Sequence, residues 1–329
     1  MSILDGLKAA PNYLEDEHLS VGTKKYLKVL NAGDTPVESL PPTEARKVLE
    51  GAQSSVNVDL SGIEESYKTI EQDGLSVKLV IVRPNGVQGK LPVFMFIHGG
   101  GWVLGDYPTH KRLVRDIVVE SQLACVFVEY TRSPEVKFPV ALNECYAATK
   151  WVAANGDQIN VDGTRLAVIG NSAGGNMTIG TSLLAKEKGT PEIKCQVLMW
   201  PYSDASTDFK SYKKYGKERF LTTTLMEWMR DNYLNSESDW DNYHISPMRA
   251  TKEQLQGLPP TLIEVAENDI LRDGGETLGR HLDEAGVFVT TIRFNSVIHD
   301  WGLLNGFAEI SPVKSLAMFT AAMLNKYLK

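Results

Sequence analysis

Cysteine is scarce in this chain, which has three cysteines in 329 residues. Cys125 and Cys195 lie in apolar, strand-like runs and Cys145 lies in a helix-like segment. An odd number of cysteines without metal-type pairing argues against a disulfide framework and against a cysteine-bound metal. We interpret them as buried thiols in a reducing compartment, which predicts a cytoplasmic protein; a disulfide between two of them is the less favoured alternative.

Long hydrophobic runs are also missing. No apolar stretch approaches the roughly 20 residues that a helix needs to cross a bilayer. At the N-terminus, Asp5 and Lys8 interrupt the apolar character that a secretory signal would require. We therefore predict neither a membrane span nor a secretory leader.

Positive charge is not in excess, because 41 acidic residues outnumber 34 basic ones and the net charge is −7. Without a basic patch or run, binding to nucleic acid or to an anionic membrane surface is disfavoured. The chain is 43% hydrophobic and 23% charged, and it shows no internal repeat. This composition is typical of a globular protein with a large core.

Strand-like and helix-like segments alternate from about residue 63 onward. Eight strands are predicted, at 63–70, 75–83, 92–97, 123–129, 165–169, 194–200, 260–266 and 287–294. Helix-length segments separate or follow the later strands, near 107–122, 138–155, 174–188, 273–285 and 312–328. This alternation predicts an α/β fold with a mostly parallel sheet covered by helices on both faces.

Two segments depart from this alternation. Residues 1–60 carry helix-like spacing and no strand signal. Residues 203–250 are too long for a simple connection between strands and contain their own helix-like segment around residues 225–229. We predict that 61–202 and 251–329 form the core, and that 203–250 forms part of a lid.

A candidate nucleophile lies where an apolar run ends at Ser172, with Gly170 two positions before it and Gly174 two positions after it. A strand that turns directly into a helix would expose the Ser172 hydroxyl at the helix N-terminus, beside the N–H of Ala173. Alone, this pattern is equally compatible with a glycine-rich turn or an ordinary helix start. Its interpretation depends on the rest of the chain.

A second glycine motif, His-Gly-Gly-Gly-Trp at 98–102, directly follows the apolar run 93–97. We call residues 98–102 the glycine loop. A flexible loop or a phosphate cradle is the alternative, but no Lys-Ser or Lys-Thr follows and no acidic ribose-binding position is evident. We predict that the N–H groups of Gly100, Gly101 and Ala173 surround one oxygen atom.

A serine nucleophile needs a histidine base and a carboxylate that orients the histidine. Of six histidines, only His299 follows the last predicted strand. Glu267, Asp269 and Asp273 are candidate acids, and Asp269 is preferred because it falls in the loop between strand and helix. Asp300 is disfavoured because neighbouring side chains usually point apart.

Taken together, these motifs resemble the hormone-sensitive-lipase-like family (family IV) of α/β-hydrolase carboxylesterases. The glycine loop is similar to the family's oxyanion loop, and Gly-Asn-Ser-Ala-Gly-Gly at 170–175 is similar to its nucleophile elbow. Asp-Ile-Leu-Arg-Asp at 269–273 resembles the family's acid motif, whose first aspartate is the triad acid. The resemblance implies an α/β-hydrolase fold, a cap made of the N-terminal helices and the 203–250 insertion, and no cofactor or metal.

Three departures from the family's usual pattern concern the surroundings of these groups. The elbow carries Asn171 in place of Asp or Thr, and Thr-Arg-Ser at 131–133 replaces the usual Arg-Leu-Ala. His299 is followed by Asp-Trp instead of the common Gly-Phe. No catalytic group is lost, so the departures affect the expected subfamily and pocket shape.

The predicted activity is hydrolysis of small to medium carboxylic esters through an acyl-enzyme. Trp102, Tyr202, Phe220 and Trp228 are candidates for the apolar walls of the substrate pocket. Packing in the core or the lid is an equal alternative for each. The same machinery could cleave an activated amide such as an aryl formamide, and some relatives of this fold are receptors without turnover. The expected partner is a small molecule, and a homodimer could form if the last strand lies at a sheet edge.

Overall fold

The computed structural model describes residues 9–33, 35–205 and 207–329. The prediction that Asp5 and Lys8 preclude a secretory leader therefore lies outside the described residues. In the part of the chain that is described, no helix is both long and apolar enough to cross a membrane.

All eight predicted strands are present and form one sheet in the order β1-β2-β4-β3-β5-β6-β7-β8. The strands are β1 (Ile63–Gln72), β2 (Leu75–Pro84), β3 (Leu91–Ile97), β4 (Ala124–Glu129), β5 (Val161–Asn171), β6 (Gln196–Met199), β7 (Thr261–Asn268) and β8 (Val289–Ile298). The β1–β2 and β2–β4 pairings are antiparallel and the other pairings are parallel. The predicted mostly parallel sheet is confirmed, and β8 lies at its edge.

Helices precede the sheet, separate most of its strands and follow its last strand. They are α1 (Val21–Leu30), α2 (Pro42–Ser54), α3 (Tyr107–Ser121), α4 (Val140–Asn155), α5 (Ala173–Lys188), α6 (Lys210–Tyr215), α7 (Thr223–Tyr233), α8 (Lys252–Leu255), α9 (Arg272–Glu284) and α10 (Ser311–Leu328). Pro42 is the first residue of α2, where proline is favoured because the missing N–H would have no helical partner.

The central strands are buried on both faces. All residues of β3 after Leu91 are buried, as are the residues of β4 before Glu129. Helices cover both faces of such a sheet, which is why these strands are continuously apolar. The carboxyl ends of the parallel strands meet at one edge, where such folds hold their ligands.

The N-terminal segment and the 203–250 insertion are joined by a buried ion pair. Arg219 lies 2.8 Å from Asp16, and each side chain is only 2% exposed. Arg219 also donates to the carbonyl oxygen of Pro11 at 2.8 Å. Removing one member of such a pair typically costs about 3–5 kcal/mol, because the other charge stays buried without a partner. The two segments are therefore held together.

Candidate active site

Ser172 lies at the turn between β5 and α5, between Asn171 and Ala173. Its φ is +54° and its ψ is −119°, a backbone conformation that residues other than glycine rarely adopt. A Cβ on Gly170 would lie 2.5 Å from the carbonyl oxygen of Gly174, and one on Gly174 would lie 2.0 Å from that of Ile97. Backbone therefore occupies the space on both sides of the turn. Only glycine fits at these two positions, as the sequence pattern predicts.

His299 joins Ser172 to Asp269. The Nε2 atom of His299 is 3.0 Å from the Ser172 hydroxyl oxygen, and its Nδ1 is 2.7 Å from Asp269 Oδ2. Asp269 follows β7 and His299 follows β8, so the two residues lie at the ends of neighbouring strands. The other Asp269 oxygen accepts the N–H of Leu271 at 2.9 Å, which fixes the carboxylate. The structure thus brings the three predicted side chains into one hydrogen-bonded chain.

These three side chains are almost completely shielded from solvent. Ser172 is 6% exposed, His299 3% and Asp269 1%. Burial opposes the charged imidazolium, but the carboxylates of Asp269 and Asp300 outweigh burial and raise the pKa of His299 above its ordinary value. A histidine with this environment can accept a proton from a neighbouring hydroxyl and hold the resulting charge.

The glycine loop lies next to the Ser172 turn. Gly100, Gly101 and Trp102 all have positive φ, at 104°, 59° and 62°. The N–H of Gly99 donates to Asn171 Oδ1 at 2.9 Å, which ties the loop to the nucleophile turn. Gly100 and Gly101 line the same cavity as Ser172. Ala173 begins α5, so its N–H has no partner within the helix.

Asp300 lies closer to His299 than the sequence suggests. Its Oδ1 is 3.9 Å from His299 Nε2, and the same oxygen accepts a hydrogen bond from Trp200 Nε1 at 2.7 Å. The expectation that adjacent side chains point apart is wrong here, because Asp300 has φ +59° and turns its side chain back towards the site. Asp300 nevertheless does not orient His299, since Nδ1 is already bonded to Asp269.

We expect Asp300→Asn to shift the acid limb of the kcat/KM pH profile to lower pH. His299 must be neutral to act as a base, so activity is lost as the pH falls through its pKa. Removing the Asp300 charge takes away one of the two carboxylates that raise this pKa. The measurement is a pH–rate profile of both proteins on one ester. An unchanged limb, or one displaced to higher pH, would show that Asp300 does not influence the histidine.

The cavity in front of Ser172 has a volume of about 160 Å³. Its walls are mainly aliphatic. They come from the N-terminal segment, from Leu104 two residues after the glycine loop, from Phe220 and its neighbour, and from α7. The apolar lining residues are Leu30, Val37, Ala45, Val48, Leu49, Ala52, Leu104, Phe220, Leu221, Leu225 and Met229. Sequence reasoning missed all of these except Phe220, because single aliphatic residues in separate segments carry no motif.

Three of the four aromatic pocket candidates do not line this cavity. The backbone of Trp102 turns its indole ring onto Tyr233, with centroids 4.4 Å apart, and Tyr202 packs edge-on against the same indole. Trp102 and Tyr202 are each 1% exposed. Trp228 lies on α7 but also outside the lining, so the structure places these three residues outside this cavity. Tyr202 and Tyr233 thus pack against Trp102, the last residue of the glycine loop.

The remaining candidate acids have other partners. Asp273 accepts the N–H of Ser211 at 2.9 Å and pairs with Arg272. Glu267 accepts the N–H of Ser296 at 2.8 Å and pairs with His18. Both side chains hold loops in place, and neither contacts His299 in the structure. Among the described residues, no group of histidine, cysteine and acidic side chains is arranged to hold a metal ion.

Comparisons with known proteins show what the chain is similar to. A model of the alpha/beta hydrolase fold matches residues 94–303. The crystal structure of a thermostable esterase from Pseudomonas putida is 50% identical with a TM-score of 0.94, covering 95% of this chain and 99% of that chain.

Two curated relatives are esterases by name. A carboxylesterase of Mycobacterium tuberculosis is 32% identical over 257 residues, covering 78% of this chain and 79% of that protein. An ethyl acetate hydrolase of Pseudomonas putida is 27% identical over 294 residues, covering 86% of this chain and 92% of that protein. The region matched by the fold model contains Ser172, Asp269 and His299.

Proposed function

The chain belongs to the alpha/beta hydrolase family, in its hormone-sensitive-lipase-like branch, and from that premise we propose that it hydrolyses carboxylic esters with Ser172 as its nucleophile. The observation that carries this proposal is the continuous hydrogen-bonded chain from Asp269 through His299 to Ser172, which ends at an apolar cavity. The esterase names of its relatives point to the same chemistry.

In the first half of the proposed reaction, the Ser172 oxygen attacks the ester carbonyl carbon and transfers its proton to His299 Nε2. The carbonyl oxygen becomes an oxyanion, and the N–H groups of Gly100, Gly101 and Ala173 stabilise it. Asp269 stabilises the imidazolium through Nδ1. His299 then returns the proton to the departing alkoxide, so an alcohol leaves and an acyl-enzyme remains.

The second half repeats these steps with water. His299 takes a proton from a water molecule whose oxygen attacks the acyl carbon, and the same N–H groups receive the second oxyanion. When this intermediate collapses, the proton returns to the Ser172 oxygen and the acid is released. Both halves of the reaction thus use the same three side chains and the same three backbone N–H groups.

The size of the cavity supports a preference for small to medium acyl groups. A cavity of about 160 Å³ is close to one that accommodates a benzene-sized molecule. Helices α1 and α2 and the insertion cover it, which favours single ester molecules over emulsified fat. One methylene in such a pocket changes selectivity by roughly 1–3 kcal/mol, so the preference is expected to be graded.

A panel of p-nitrophenyl esters with acyl chains of two to about twelve carbons tests this preference. We expect kcat/KM to be highest for the shorter chains and to fall by at least about tenfold for the longest, because the enclosed cavity cannot hold them. The p-nitroanilide of the best acyl group, measured beside the ester, separates ester from amide hydrolysis. Equal or rising rates with chain length would contradict the proposed preference.

We also propose a cytoplasmic location. Cys125, Cys145 and Cys195 are all buried and none forms a disulfide, which supports a reducing environment. Burial raises the pKa of the Cys195 thiol to about 12, and it raises the pKa of the other two thiols as well. The thiols therefore stay protonated and inert at neutral pH.

A further inference from the structure

Helix α2 carries a buried arginine that touches no part of the proposed reaction. Arg46 Nε donates to the carbonyl oxygen of Val103 at 2.8 Å, and Nη2 donates to that of Ser133 at 3.0 Å. Its two Nη atoms also bind the Glu135 carboxylate, at 2.7 and 2.6 Å. The Arg46 side chain is 10% exposed. A guanidinium taken this far out of water needs such a full set of partners, and its planar fork makes it rigid.

These contacts hold Val103, the residue that directly follows the glycine loop, and the neighbouring segment 133–135. Gly100, Gly101 and Trp102 are three successive residues with positive φ, a strained conformation for a tryptophan. The N–H of Ser133 donates to the Trp102 carbonyl oxygen at 2.9 Å, which joins the two chain segments that Arg46 also holds. Arg46 thus fixes the segments next to a loop whose backbone conformation is intrinsically unfavourable.

Gln53, seven residues later and on the same face of the helix, attaches α2 to the segment that follows His299. Gln53 Nε2 donates to the Leu303 carbonyl oxygen at 3.0 Å, and Gln53 Oε1 accepts the N–H of Asn305 at 2.9 Å. Between these two anchors, Leu49 lines the cavity. One helix therefore contacts the residue that follows the glycine loop, the cavity and the segment that follows His299.

We propose that Arg46 is a positioning residue for ester hydrolysis: through its bonds to Val103 and Ser133 it holds the Gly100 and Gly101 N–H groups where the oxyanion forms. The inference rests on the proposed function and deepens it. The bonds go to backbone carbonyl oxygens next to the loop. Losing them should therefore change the positions of the N–H donors much more than the apolar contacts with the substrate.

The test compares Arg46→Met and Arg46→Lys with Lys47→Met. Lys47 is the next residue of α2; its side chain is 66% exposed and its ion pair is with Glu44 on the same helix. Active sites are counted with a phosphonate that reacts with the catalytic serine, and kcat and KM are measured on p-nitrophenyl butyrate. Binding of a trifluoromethyl ketone, which forms a tetrahedral oxyanion on the serine, reports the donor geometry independently of turnover.

For Arg46→Met we expect kcat per active site to fall about 10- to 100-fold, because a displacement of about 1 Å costs about 10²-fold. KM should change less than about threefold, and affinity for the ketone should fall by a factor similar to kcat. Arg46→Lys should recover only part of the loss, since an ammonium cannot reproduce the bidentate fork. Lys47→Met should match the wild type.

A purely structural role would reduce the number of active sites or the melting temperature and leave kcat per site and ketone affinity unchanged. That result for Arg46→Met would overturn the proposal. If Arg46→Met does not fold, wild-type kcat and ketone affinity in Arg46→Lys would overturn it equally. Failure of the proposed function is distinguishable, because wild type and Lys47→Met would then both lack ester hydrolysis.

Discussion

Replacing Ser172 by alanine is expected to lower kcat for ester hydrolysis by about 10⁴- to 10⁶-fold while the protein remains folded. The hydroxyl is the only group of this residue within reach of His299, at 3.0 Å, and without it no acyl-enzyme can form. Loss of the nucleophile in a triad typically removes this much rate and leaves only the catalysis that binding and the oxyanion donors supply. Ser172 already has a strained backbone, so alanine adds no new conformational cost.

Initial rates on p-nitrophenyl butyrate and thermal melting of the same preparations test this expectation. Ser182→Ala is the matched control, because Ser182 is a buried serine of α5 whose hydroxyl has no partner in the structure. Ser182→Ala should keep the rate of the wild type within about twofold, since small core changes away from a site act mainly on stability. Hydrolysis by Ser172→Ala at the wild-type rate would refute the assignment of the nucleophile.

Replacing Asp269 by asparagine is expected to lower kcat by about 10³- to 10⁴-fold. The carboxylate accepts the Nδ1 proton of His299 at 2.7 Å, which leaves Nε2 free to accept a proton from Ser172. An amide in its place favours the wrong tautomer and no longer stabilises the imidazolium, while the apolar walls of the cavity are unchanged. The loss should therefore appear in kcat much more than in KM.

Asp273→Asn is the matched control for this experiment, since Asp273 lies on α9 four residues further along the chain. It accepts the N–H of Ser211 and pairs with Arg272, so its loss should affect stability and leave kcat within a few-fold of the wild type. Steady-state kinetics and melting curves of both variants separate the two roles. A large loss of kcat in Asp273→Asn together with a normal Asp269→Asn would show that the wrong acid was assigned.

The strand and helix order was predictable because it depends on local periodicity. Parallel strands such as β3 are buried on both faces, and their continuous apolar runs are visible without knowledge of their neighbours. Boundaries were less accurate: β5 begins at Val161 and β8 ends at Ile298, each about four residues beyond the predicted limits. Tertiary pairing extends strands where the local pattern alone ends.

The site was predictable where its chemistry requires a particular residue type at a particular turn. Gly170 and Gly174 are required because backbone carbonyl oxygens occupy the space beside Ser172, and that constraint appears directly as a motif. His299 and Asp269 were predictable because each follows a parallel strand, and these strand ends meet at one edge of the sheet.

The fold class, the Ser172 turn and the order of nucleophile, acid and base follow from the amino-acid sequence, because they depend on local backbone geometry and strand order. The residues that surround these groups become evident only in the folded structure. Val37 and Met229 line one cavity although they are distant in the sequence, and their side chains carry no chemical signature. Asp300 approaches His299 because its backbone adopts a positive φ, and Arg46 of α2 reaches the carbonyl oxygen of Val103, beside the glycine loop. Such contacts arise from packing between distant segments, so no local pattern predicts them.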